Sequence, residues 1–156
     1  MLGRTLAVLL VSVSLAHAEV IAVKPTEVVD AAAAKKLLGQ HGLTLQWITN
    51  DKKQKGVAEI TNRRGVYRLA GEQRDAKGNF VTVQGRITRI EKLDFFLEGT
   101  IVTQVDYLAD GKPCPKEGTF RFHIKGARKF WRLQEMDNPC AGENHVDYVD
   151  VHFAGK

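Results

Sequence analysis

Residues 80–88 read Phe80-Val81-Thr82-Val83-Gln84-Gly85-Arg86-Ile87-Thr88, with Val81, Val83, Gly85 and Ile87 at one parity and Thr82, Gln84, Arg86 and Thr88 at the other. Such alternation puts apolar groups on one face of a strand and polar groups on the other, as in an antiparallel sheet with one buried side. In 94–108, Phe95, Leu97, Gly99, Ile101, Val105 and Tyr107 again share a parity. In 119–125, Phe120, Phe122 and Ile124 oppose Thr119, Arg121, His123 and Lys125. Adding 43–48, 56–62, 65–73, 129–136 and 147–153 predicts about eight strands. The links are short and carry turn residues, among them Asn62-Arg63-Arg64-Gly65 and Asp110-Gly111. A meander of this kind predicts a mainly β fold, an up-and-down barrel whose closure removes exposed strand edges; a two-sheet sandwich is the alternative.

Three segments share the form apolar-x-apolar-x-Gly-polar: Tyr67 to Glu72, Val81 to Arg86 and Phe95 to Thr100. Their glycines, Gly71, Gly85 and Gly99, recur every fourteen residues on the apolar parity. A missing side chain there lets a strand bend sharply, the device that closes a small barrel; the alternative is that it clears room for a ligand inside.

Upstream, residues 1–18 carry Arg4, an apolar run from Leu6 to Leu15 and the ending Ala16-His17-Ala18, the layout of a secretory signal peptide. A lead and one helix over 27–38 follow, stopped by Gly39, so the expected organisation is 1–18 signal peptide, 19–42 lead and helix, and 43–156 barrel domain. Cleavage leaves 138 of the 156 residues and takes the formal charge from +5 to +4. The mature chain has no run apolar enough for a membrane helix, and a secreted or periplasmic monomer is expected. An oxidising compartment lets Cys114 and Cys140 pair with each other. That bridge would close a loop of 27 residues, which the chain-entropy account values at about 3.5 kcal/mol. Both cysteines sit in proline-containing, turn-like contexts.

The mature chain contains no serine, since Ser12 and Ser14 both lie in 1–18. With the cysteines paired, serine and cysteine nucleophiles are removed and no catalytic residue is assigned. A hydrolase using strand carboxylates requires two or more of Glu98, Asp106, His123, Glu135, Asp147 and His152 to converge. Glu143, His145, Asp147, Asp150 and His152 concentrate metal-ligand chemistry, but their parities diverge on a strand, so no metal is expected. The glycines form no phosphate loop, so no cofactor is expected.

Basic residues form the other constellation. Lys52, Lys53 and Lys55 share one loop, Arg63 and Arg64 a turn, and Lys125, Arg128 and Lys129 another, while Arg86 and Arg121 project from polar strand faces. Such clusters suit an anionic envelope component, against the alternative of a merely solvated cationic surface. Nucleic acid is not expected, because most aromatics share the apolar parity. Trp47 on the first strand and Trp131 with Arg132 on a late one are placed to seal a barrel end by stacking and cation–π contact. With the N-terminal helix, this resembles the calycins, the lipocalin-type barrels, although Leu45 stands where those have a glycine two residues before the tryptophan. The resemblance implies architecture alone. The stretches 130–140 and 147–153 resemble the ends of small secreted bacterial proteins of unassigned function.

The sequence therefore reads as an exported, non-catalytic barrel binding a small apolar molecule in its mouth or an anionic envelope component on its basic loops; a periplasmic protein-interaction or inhibitor module is the alternative. N-terminal sequencing of the exported protein is expected to begin at Glu19, and an intact mass that retains residues 1–18 contradicts the assignment.

Overall fold

A computed structural model of the protein describes residues 23–48 and 54–155. The signal-peptide assignment, Lys52 and Lys53 lie outside the described residues. The chain runs β1 (Glu27–Val28), α1 (Ala31–Leu37), β2 (Gly39–Leu45), β3 (Gly56–Arg63), β4 (Val66–Arg74), β5 (Phe80–Ile90), β6 (Asp94–Gln104), β7 (Cys114–His123), β8 (Phe130–Leu133) and β9 (Val149–His152). From β2 to β9 each strand pairs antiparallel with the next, and β9 returns to β2 through Leu43 opposite Val151 and Leu45 opposite Val149. The result is the expected closed, eight-stranded up-and-down barrel, with β1 added as a short parallel partner of β5.

The alternating apolar residues point inward. Leu43, Leu45, Ile60, Leu69, Val83, Ile87, Phe95, Leu97, Ile101, Phe122, Leu133, Val149 and Val151 are each no more than 1% exposed, and Phe95 stacks on Phe122 at 4.7 Å. Eight strands enclose a space just wide enough for such side chains, so these fill the interior. The glycine repeat is part of that wall. Gly85 stands directly opposite Gly99 across β5 and β6. A Cβ on Gly85 would stand 2.8 Å from Gly99 Cα, one on Gly99 would stand 2.7 Å from Gly85 Cα, and each would collide with the carbonyl oxygen of Glu98 or Gln84. The two strands approach too closely there for any side chain, which is the curvature reading of the repeat.

Several sequence expectations are corrected. Helix α1 spans only Ala31–Leu37, capped by Asp30, whose carboxylate accepts from the Ala33 N–H at 2.7 Å. Glu27 and Val28 pair with Arg89 and Ile90 instead. Thr26 explains the change, because its hydroxyl donates to the Ile87 carbonyl at 2.6 Å and accepts from the Tyr67 N–H at 3.0 Å, tying the lead to β4 and β5. Strand β2 begins at Gly39, within the stretch expected to end the helix, and stops at Leu45, which leaves Trp47 in the turn beyond it. Strand β6 ends at Gln104, so Tyr107 turns outward, 63% exposed, and donates its hydroxyl to the Trp47 carbonyl at 2.9 Å. Cys114 opens strand β7 rather than lying in a turn, with Pro115 opposite Val102. There β7 has no strand on its other side, because β8 pairs only at Phe122 and His123, and such an edge position is where a strand tolerates proline.

Gly99→Ala is expected to lower unfolding stability by about 1–3 kcal/mol. Urea midpoints measure this, and a variant as stable as the native chain contradicts the close-approach role.

Candidate functional site

The strand closing the barrel also assembles a cationic concavity. Helix α1 leads directly into β2, and His41 on β2 is only 3% exposed. Its Nε2 lies 2.8 Å from the Leu37 carbonyl oxygen and its Nδ1 2.9 Å from that of His152. Each ring nitrogen therefore faces a carbonyl oxygen, one at the helix end and one on β9. His41 thereby pins the helix end and β9 to β2. Beside it, Trp131 is 2% exposed and makes edge contacts with His41, Phe95 and Phe153, the last at 4.6 Å between centroids. Lys36, in the last turn of α1, places its ammonium 3.3 Å from the Phe153 ring centroid and 5.4 Å from that of Trp131, a cation–π arrangement.

Outside this seam lies a cleft of about 520 Å³ lined by Lys55, Lys129, His152, Phe153, Ala154 and Gly155. Gly42 makes room for one wall: a Cβ there would stand 3.0 Å from Lys55 Cδ and 3.4 Å from His152 Cβ. The aliphatic stem of Lys55 therefore crosses the bare backbone of β2 alongside His152. Lys36, Lys55, Lys129 and His152 have no carboxylate ion-pair partner among the described residues; Asp150, the nearest acid on β9, is engaged by Arg132 at 2.7 Å through both oxygens. Burial, and then the Lys129 charge, lower the Lys36 amine from the ordinary lysine value. Burial and the Lys55 charge likewise lower the His152 imidazole, with Asp150 opposing them. Two lysine ammoniums without a carboxylate partner facing one concavity, with an imidazole beside them and a third ammonium over the Phe153 ring, are the electrostatic description of an anion site.

The other sequence candidates are dispersed. Arg63 ends β3 and Arg64 lies in the β3–β4 turn with a left-handed φ of 53°. Arg86 reaches Glu98 and the Lys24 carbonyl on the outer wall. Arg121 holds Asp94 at 2.7 Å, and the same carboxylate oxygen lies 2.8 Å from His123 Nδ1. Lys125 is exposed, and Arg128 lies over the Phe130 ring at 5.5 Å. Among the described residues, only Lys55 and Lys129 of the basic set line the cleft. Lys36, Gly42, His152 and Phe153 were not among the anion-site candidates, and no local pattern marks them, because only barrel closure brings their segments together.

The end seal takes a different form from the expected one. Trp131 points inward and Arg132, one residue on, points outward, where its guanidinium lies 5.1 Å from the Phe130 centroid and 4.3 Å from that of Tyr148. Trp47 instead donates its indole N–H to Asp147 Oδ1 at 3.2 Å. Asp147 is fully buried, and its carboxylate also accepts from Asn138 Nδ2 at 3.2 Å and the Thr103 hydroxyl at 3.3 Å. Asn138 Oδ1 accepts from the Cys140 and Ala141 amides at 3.0 and 3.1 Å. Next to it the Cys114–Cys140 disulfide, with Cα atoms 5.9 Å apart, fastens this loop to the start of β7. The residues proposed for hydrolysis are thus scattered: Glu98 on the outer wall, Asp106 with its amide on Asn79 Oδ1, His123 beside Asp94, Glu135 accepting from the Arg121 amide, Asp147 in this buried hub and His152 at the cleft. No cluster of metal-ligating side chains occurs among the described residues.

Because the fold favours neutral His152, the unfolded chain takes up that proton first as pH falls below about 6.5. His152 therefore lowers stability on acidification, and His152→Gln is expected to lose less melting temperature between pH 7 and pH 5 than the native chain. An identical loss in both proteins contradicts the assignment.

The family model described as the PM1083 family matches residues 25–153. The chain is 43% identical over 118 residues to "Uncharacterized protein PM1083" of Pasteurella multocida (strain Pm70), spanning 76% of this chain and 74% of that protein. No solved structure matches the chain. The match runs from the lead before β1 through β9 and Phe153, and with this coverage the chain belongs to the PM1083 family.

Proposed function

We propose that the protein is an exported, non-catalytic binding protein whose ligand is an anionic component of the cell envelope, held at the cleft on the barrel seam. The observation that carries this reading is the convergence of Lys55, Lys129 and His152 on one concavity, with the Lys36 ammonium over the ring of Phe153, which also lines it, and with no carboxylate ion pair to these groups among the described residues. Long-range attraction by such a cluster draws anions in, and a partly enclosed cleft is screened less than a flat surface. The disulfide and the layout of residues 1–18 support an oxidising compartment. No helix of the described residues is long and apolar enough to cross a membrane. On the outer wall, Glu59, Arg68, Gln84, Arg86 and Glu98 interrupt any continuous apolar band of the kind that faces lipid. The interior side chains weigh against an apolar molecule in the lumen, since the core occupies that space.

Retention on immobilised dextran sulfate tests the reading. The native protein is expected to bind at low salt and elute as the Debye length falls from about 10 Å at 0.1 M to 3 Å at 1 M. Lys55→Glu with Lys129→Glu, both at exposed positions, is expected to weaken binding by about tenfold or more with an unchanged melting temperature. Retention that ignores both salt and the double substitution contradicts the proposal.

A further inference from the structure

The cleft has a second property that cations alone do not require. A surface that merely attracts polyanions needs only exposed lysines. Here the lysines stand over a concavity whose inner side is made by the Phe153 ring, Ala154 and the Gly155 backbone. The Lys55 stem, carried across Gly42, lengthens that apolar wall, because a lysine side chain is hydrocarbon up to its ammonium. Phe153 is half-buried and packs on the core through Trp131, so its part of the wall rests on the core, and Ala154 and Gly155 extend it beyond β9. A volume of about 520 Å³ falls within the range of about 300–1,000 Å³ found for small-molecule sites, which are mostly apolar with a few polar groups that fix orientation. His152 supplies such a group. Its Nε2 lies 2.8 Å from the Thr44 hydroxyl oxygen. When that hydroxyl donates to Nε2, the ring proton sits on Nδ1 and is left for a ligand.

Resting on the reading of this cleft as an anion site, we propose that its ligand is a small single-chain amphiphile. A carboxylate or phosphate head lies among Lys55, Lys129 and His152, and an apolar body lies along Phe153, Ala154 and Gly155. Lys36 completes the site. Its ammonium already rests on the Phe153 face, so a head placed beside that ring gains a third cation without any movement of α1. An inorganic oxyanion would use the lysines and leave the Phe153 wall in water. A neutral apolar molecule would use the wall and leave the lysines unneutralised. Only a ligand with both parts uses both features.

Isothermal titration of the full, disulfide-bonded chain with a matched series tests this. The series is acetate and octanoate, inorganic phosphate and octyl phosphate, then 1-octanol and octyltrimethylammonium, all below their micellar concentrations. Octanoate is expected to bind at least tenfold tighter than acetate, or octyl phosphate at least tenfold tighter than inorganic phosphate. The pair with the larger gain identifies the head. Octanol and octyltrimethylammonium are expected to give no measurable heat. Phe153→Ala is expected to cut the chain-dependent gain to below threefold while keeping the short anion's affinity. The unsubstituted chain decides the matter alone if that variant does not fold. Equal affinity for short and long anions, abolished by Lys55→Glu with Lys129→Glu, overturns the amphiphile and leaves the anion site standing. Octanol binding as tightly as octanoate overturns it as well. Absence of binding by every anion in the series overturns the amphiphile and the anion site together.

Discussion

The structure depends on how closely two strands can approach. Where Gly85 faces Gly99, the backbones of β5 and β6 come so near that a single methyl group on either residue meets the opposite chain. That approach gives the sheet a local coil tight enough for eight strands to close, and closure sets β9 against β2. Without it the same strands would form an open sheet whose first and last members present unpaired edges.

Closure also brings together the side chains that have chemistry to offer. Lys36 comes from a short helix, Lys55 from the residue before β3, Lys129 from the residue before β8, and His152 and Phe153 from the end of the last strand. None of these is close to another group in sequence except the last two. The seam supplies their geometry: His41 bridges the helix end and β9, Gly42 lets the Lys55 stem pass, and Trp131 backs Phe153 from inside. A separate polar hub, in which Asp147 is held by Trp47, Thr103 and Asn138, anchors the loop that the disulfide fastens to β7. Scaffold and cleft therefore draw on different residues of the same C-terminal segment.

Much of the scaffold was legible in the sequence because strand alternation is a local signal. The runs around Val83, Leu97 and Phe122 gave the inward face correctly, and the glycine spacing anticipated the bend. The lead departs from its helical pattern because 27–38 contains Val28 and Val29, which suit an extended chain once Thr26 ties it to β4 and β5. Alternation runs on past Leu45 and so suggests a strand at Trp47, although the ladder to β9 ends at Leu45. For the cleft, the charges of Lys55 and Lys129 were visible, but their meeting was not. His152 looked like half of a metal motif, and Phe153 like one more core residue. Their role follows from register across the seam, which no local window contains.

The central claim is that β2 and β9 form a closed, persistent seam on which the cleft is built. Native-state amide hydrogen exchange resolved by residue tests it most directly. The slowest amides of Leu43, Leu45, Val149 and Val151 are expected to exchange only through global unfolding, with the same protection as Val83 and Ile101 in the β5–β6 pair. Exchange of the β2 and β9 amides through a separate, lower-energy opening while β5 and β6 stay protected would contradict it.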